Sequence, residues 1–198
     1  MQDIANFLFE VGMLKKTPRT GFQFLGSGSE SVAEHVLRTI FIGYTLSKME
    51  GDVDEHKVLK ICLVHDLPEA RTGDMNYMYK KYVNVNEEKA VQDLTETLFF
   101  GDDIRAAIQE FNERKTKESL IAHDSDQLAL ILQLKECGDL GNKYSQEWIK
   151  FASLRLYTDT AKKLADSIMK TDSSEWWFKD KSDWWINGNH NELFSKQK

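Results

Sequence analysis

Within Leu63-Val64-His65-Asp66-Leu67-Pro68-Glu69-Ala70-Arg71-Thr72-Gly73-Asp74, one imidazole and three carboxylates fall inside ten residues. The His65-Asp66 pair closes a segment whose other positions, Val58, Leu59, Ile61, Cys62, Leu63 and Val64, are apolar. Burying ionisable groups there is costly unless they are paired or coordinate a metal. His35 lies in the first turn of an earlier apolar segment, and a third such segment carries Asp124 and Asp126. His35, His65, Asp66 and an aspartate near residue 126 would bring two imidazoles and two carboxylates from three helices. That mixed set suits one six-coordinate divalent cation, manganese, cobalt or iron first, then magnesium, nickel or zinc, with two positions left for water and a substrate oxygen. Four sulfur ligands are absent, which argues against a closed structural zinc site. An open site implies catalysis, since a cation acidifies bound water and neutralises charge developing on a phosphoryl oxygen. Glu69 and Asp74 are close enough in sequence to orient that water or protonate a leaving oxygen.

The elements that must position these groups read as helices throughout, and the fold class is all-α. Ile4, Phe7, Leu8, Val11 and Leu14 recur at helical spacing until Thr17-Pro18. Arg19 to Ser29, with Gly21, Gly26 and Gly28 among Phe22, Phe24 and Leu25, reads as a loop with apolar anchors. Ser31-Val32-Ala33-Glu34 is a capping box, so a helix starts there and runs, apolar on most sides, to Gly51. Asp54 caps the helix that ends at His65-Asp66, and Pro68 fits the first turn of a short helix holding Glu69. Met75 to Val85, rich in tyrosine and lysine, reads as a loop or lid. Asn86 caps a helix predicted to reach Phe99 and to end at Gly101, and Asp102 or Asp103 caps the next. A long helix follows from about Thr116 to Gly138. Periodicity puts Asp124 on the face of Leu120, Leu128 and Ile131, and Asp126 with Ala122, Ala129 and Leu130, without choosing between them; taken singly, each is a surface acid. Two more helices, one around Trp148 to Leu156 and one capped by Thr158, complete a bundle. The aromatic segment 172–198, with Trp176, Trp177, Trp184, Trp185 and Phe194, is expected to pack on the domain or on a second subunit.

Composition narrows the function classes. At 198 residues, 41% hydrophobic and 29% charged, the chain fits one domain, 1–198, with a metal-site core over about 30–135. A net charge of −6 leaves no diffuse basic surface for a nucleic-acid polymer, whereas a small phosphorylated substrate needs only a local cation. Cys62 and Cys137 sit inside apolar patterns and read as two buried thiols, not a disulfide. No apolar run reaches the roughly 20 residues of a membrane span, and the N-terminus lacks a basic flank, so the reducing cytoplasm is the expected location.

The ordered set Glu34-His35-Val36, His65-Asp66-Leu67-Pro68-Glu69-Ala70-Arg71-Thr72-Gly73-Asp74 and Asp124-Ser125-Asp126-Gln127-Leu128 resembles the HD-domain metal-dependent phosphohydrolases. Leu14-Lys15-Lys16-Thr17-Pro18-Arg19-Thr20-Gly21-Phe22 and Glu30-Ser31-Val32-Ala33-Glu34-His35 are similar to stretches of its 5'-deoxynucleotidase branch, and the likeness spans about residues 5–170. The resemblance implies an HD-domain helical bundle, one divalent cation, a nucleotide substrate and a homodimer. It assigns metal binding to His35, His65, Asp66 and Asp126. It makes Glu69 the water-handling acid or base, Asp74 a substrate or leaving-group contact, and Arg19 the fork that grips phosphate. Phe22 stands where that branch often has tryptophan. The expected reaction is hydrolysis of a (deoxy)nucleoside 5'-monophosphate by a metal-activated water. The alternatives are a non-catalytic nucleotide or metal sensor on the same fold, for which Glu69 would be superfluous, and a phosphohydrolase for another small phosphorylated metabolite.

Overall fold

The computed structural model describes residues 1–178, which form helices and short turns around one core; Trp184, Trp185 and Phe194 of the aromatic segment lie outside the described residues. In chain order the helices are α1 (Gln2–Val11), α2 (Phe22–Leu25), α3 (Val32–Glu50), α4 (Glu55–Val64), α5 (Glu69–Thr72), α6 (Glu87–Thr95), α7 (Gly101–Glu113), α8 (Lys117–Asp139), α9 (Ser145–Ser153), α10 (Asp159–Lys170) and α11 (Glu175–Phe178). Single 3-10 turns occupy Gly12–Lys15 and Tyr79–Lys81.

Helix α8 is the axis of the bundle and touches α3, α4, α7, α9 and α10. It can do so because Ile121, Ala122, Leu128, Ala129, Ile131 and Leu134 are fully buried on several of its faces. Helix starts follow the side-chain caps expected from sequence at Ser31 and Glu34, which cap each other reciprocally, and at Asp54, Asn86 and Thr158, which each accept a first-turn amide; Thr116 caps α8 in the same way. Helices α3 and α4 cross closely at Gly43, where an added Cβ would lie 2.8 Å from the Cys62 sulfur. That contact sets the spacing of the two helices that carry His35 and His65.

Several expectations are corrected. Helix α6 stops at Thr95 instead of reaching Phe99. Gly101 does not end it but opens α7, where any Cβ would collide with the Thr95 carbonyl oxygen at 2.1 Å. Asp102 and Asp103 then occupy the first turn of α7 and provide no cap. The Arg19–Ser29 loop contains a helical turn, α2, closed by Gly26 in the left-handed region (φ 68°). Leu63 is 56% exposed although its helix reads as buried, and Leu37, Phe41 and Tyr44 likewise form an exposed apolar stripe on α3.

Candidate metal centre and active-site cavity

The four groups of the proposed centre arrive from three elements. The Ser31 cap starts α3 so that His35 falls in its first turn with its ring fully buried. His65 and Asp66 follow the last turn of α4, and Asp126 projects from the middle of α8. His35 Nε2 lies 3.0 Å from Asp126 Oδ1 and 3.6 Å from Asp66 Oδ2, while His65 Nε2 lies 3.3 Å from the same Asp66 oxygen. His35, His65 and Asp126 each offer a ligand atom within 4.8 Å of the others.

The donor set fits a cation. His65 Nδ1 lies 2.8 Å from the Cys62 carbonyl oxygen, which can only accept, so Nδ1 carries the proton and Nε2 keeps its lone pair in the neutral ring. His65 Nε2 and Asp66 Oδ2 are both buried without a hydrogen-bond partner, and a shared divalent ion would satisfy the two together. In the metal-free arrangement, protons take over part of that role. Burial, the largest single influence, would lower the His65 value, but the charge and contact of Asp66, the charge of Asp126 and the Cys62 carbonyl together outweigh it and raise the imidazole to about 9. Burial would likewise raise Asp66, yet His65, then His35 and Arg19, lower its carboxyl to about 2. Asp126 is held below the usual carboxylate range, since its contact with His35 and the charges of His35, His65 and Arg19 together overcome burial.

Arg19 is brought over the centre by a closure at the foot of α3, where Arg19 N donates to Glu30 O (2.9 Å) and Val32 N to Thr17 O (2.9 Å). Its Nη1 lies 3.5 Å from Asp66 Oδ2 and 3.7 Å from Asp74 Oδ1. Burial opposes the charge on this guanidinium, but the surrounding carboxylates more than compensate and raise its value further. Helix α5 presents Glu69 and is itself anchored by Arg71, which pairs with Glu10 of α1 and lies 3.8 Å from Asp93 of α6. Glu69 Oε2 is buried and unpartnered; burial first, then the charges of Asp66 and Asp74, push this carboxyl up to about 9.

Arg19, Phe22, His65, Asp66, Glu69, Asp74 and Asp126 line one cavity of about 490 Å³, with His35 directly behind Asp126. The volume is in the range of small-ligand sites and exceeds what a cation and phosphate need. The lining also includes His123, Tyr77, Trp148 and Arg155, whose guanidinium lies 4.9 Å from the Tyr77 ring centroid and donates to Gln127 Oε1 at 3.1 Å. Sequence reasoning placed Trp148 only in a helix and passed over Arg155, because no local pattern marks a lone arginine in the turn between α9 and α10.

The structure separates the two aspartates of α8. Asp124 is fully buried and points away from the cluster: Oδ1 accepts from Tyr157 N at 2.7 Å, and Oδ2 accepts from Thr158 N at 2.8 Å and Thr158 Oγ1 at 2.7 Å. It is the structural anchor of the α9–α10 turn and the start of α10. Neither aspartate is the surface acid that single-residue odds suggested.

The family model for the HD domain matches residues 11–169. The 5'-deoxynucleotidase HDDC2 of Dictyostelium discoideum is 33% identical over 69% of this chain and 78% of its own length. The human 5'-deoxynucleotidase HDDC2 is 27% identical over 72% of each chain. A conserved hypothetical protein of Pyrococcus furiosus superposes with a TM-score of 0.71 at 26% identity, covering 84% of this chain and 99% of that one. With a family match over most of its length and a cluster of His35, His65 and Asp126 able to hold a metal ion, the chain belongs to the HD-domain family, alongside the 5'-deoxynucleotidases.

Proposed function

We propose that the chain is a metal-dependent phosphomonoesterase that converts (deoxy)nucleoside 5'-monophosphates to nucleoside and phosphate. The observation that carries this reading is Arg19 Nη1 at 3.5 Å from Asp66, which places an anion-binding fork against the candidate cation site inside a cavity with room for a nucleoside. The names of the similar 5'-deoxynucleotidases support the substrate class. His35, His65, Asp66 and Asp126 would hold the cation. When bound, it supplies Lewis acidity toward a phosphoryl oxygen and makes water a better nucleophile. Arg19 binds the phosphate and fixes the phosphorus in line. Asp74, an acceptor facing Arg19, holds that guanidinium in place. In hydrolysis the water oxygen bonds to phosphorus, the bond from phosphorus to the 5'-oxygen breaks, and the leaving oxygen needs a proton. Glu69 holds a proton on a buried, unpartnered carboxyl; it delivers that proton to the leaving 5'-oxygen and takes back the one that the attacking water sheds. Phe22 packs at the cavity rim, where a sugar or base would rest.

The family resemblance supports a homodimer, and the buried free thiols of Cys62 and Cys137 fit the reducing cytoplasm. Phosphate release from a panel of ribo- and deoxynucleoside monophosphates, with manganese, cobalt, iron, magnesium, nickel or zinc, tests the assignment. Glu69→Gln is expected to lower kcat by about 10²- to 10⁴-fold with metal retained. Retained metal and nucleotide binding with no turnover in the wild type would convert the reading to a sensor.

A further inference from the structure

The segment after α5 meets the Arg19 loop through one side chain. Gly73, in a left-handed conformation (φ 72°), turns the chain so that Asp74 and Asn76 come against Thr20, 54 and 56 residues earlier. Thr20 N donates to Asp74 Oδ2 at 2.6 Å. The Thr20 hydroxyl has one proton; it lies 2.9 Å from the Asp74 carbonyl oxygen and 3.3 Å from Asp74 Oδ2, so the carbonyl is the better acceptor. The same hydroxyl oxygen accepts from Asn76 N at 3.1 Å. One threonine therefore satisfies a backbone acceptor and a backbone donor of the 74–76 segment and also holds one oxygen of the Asp74 carboxylate. The other oxygen faces Arg19 Nη1 at 3.7 Å.

We propose that Thr20 is a positioning residue of the active site: it staples the Arg19 loop to the Asp74 segment, so that Asp74 holds Arg19 at the phosphate position. The inference rests on the functional reading above for its kinetic consequence, but the staple itself is a property of the apo protein. Nothing in the contacts of Thr20 requires it to touch the substrate or the cation. Its loss therefore acts through Arg19, on phosphate affinity, and leaves the metal ligands as they are.

The test compares Thr20→Val, which keeps the β-branched shape and removes both hydroxyl contacts, with Thr20→Ser, which keeps them. For Thr20→Val, KM for the best nucleoside monophosphate and the dissociation constant of inorganic phosphate on manganese-loaded protein are each expected to rise about tenfold, because a misplaced binding group loses its alignment. kcat should change by less than about threefold and bound manganese not at all, while Thr20→Ser should return both constants to within about threefold of wild type. Unchanged phosphate affinity in Thr20→Val, or Thr20→Ser as impaired as Thr20→Val, would overturn the proposal. Should Thr20→Val fail to fold, amide exchange in the wild type decides: protection of the Thr20 and Asn76 amides supports the staple, and free exchange of both refutes it. A wild type that hydrolyses no nucleoside monophosphate removes the functional reading, yet phosphate calorimetry and amide exchange still judge Thr20.

Discussion

Asp124→Asn and Asp126→Asn, two residues apart on α8, should fail in different ways. Asp124 accepts three hydrogen bonds at 2.7–2.8 Å in a fully buried position. Asparagine keeps one acceptor oxygen and turns an NH2 group toward the remaining donors. At least one backbone amide at Tyr157 or Thr158 then loses its acceptor, at about 1–3 kcal/mol, and the surviving bonds lose their charge assistance. We expect a loss of about 3 kcal/mol, a large share of the roughly 5–15 kcal/mol that stabilises a typical domain. In urea, with a slope of about 1–3 kcal/mol per molar, the midpoint should fall by about 1 M or more. The measurement belongs on metal-free protein, so that metal linkage does not enter, and bound manganese is determined separately. Asp124→Asn should still bind the cation once folded. Asp126→Asn should keep the α10 anchor and lose the cation. The reasoning fails if Asp124→Asn unfolds at the wild-type urea concentration while losing metal.

Gly43→Ala should destabilise by about 1–3 kcal/mol, because the new methyl would sit 2.8 Å from the Cys62 sulfur; Cys62→Ala in the same chain should recover part of the loss in a urea-melt double-mutant cycle. Adding manganese to metal-free protein at pH 7 should release protons, measurable by calorimetry in buffers of different ionisation enthalpy, because His65 must give up a proton held to about 9. The sign follows from that raised value: in metal-free protein, His65 contributes stability that is complete below its ordinary 6.5 and is lost as pH climbs through about 9, whereas manganese affinity strengthens over the same window. Arg19→Lys keeps a charge but loses the planar fork, so kcat/KM should fall about 10- to 100-fold, mainly through KM, with bound metal unchanged.

Local chemistry was enough to place most helix starts, since Ser31, Asp54, Thr116 and Thr158 cap through contacts only three residues long. The same locality explains the failures at α6 and α7, where a distant fact, the closeness of Gly101 to the Thr95 carbonyl, decides where one helix stops and the next begins. Leu63 and the Leu37, Phe41 and Tyr44 stripe were misjudged because hydrophobicity marks a face as apolar without saying whether the same chain covers it.

The sequence by itself determined the residue types of the site and, through the ordered His35, His65-Asp66 and Asp126 pattern, the family that uses them. Helical period alone left Asp124 and Asp126 equivalent; the resemblance chose Asp126, and the tertiary structure added its 3.0 Å contact with His35 and the role of Asp124 as the anchor of α10. It alone brought Arg155 and Trp148 into the cavity wall, and Thr20 against Asp74. The division has a physical cause. Helical period fixes the face a residue occupies relative to its own helix, whereas the partner on that face is chosen by packing between segments far apart in the chain.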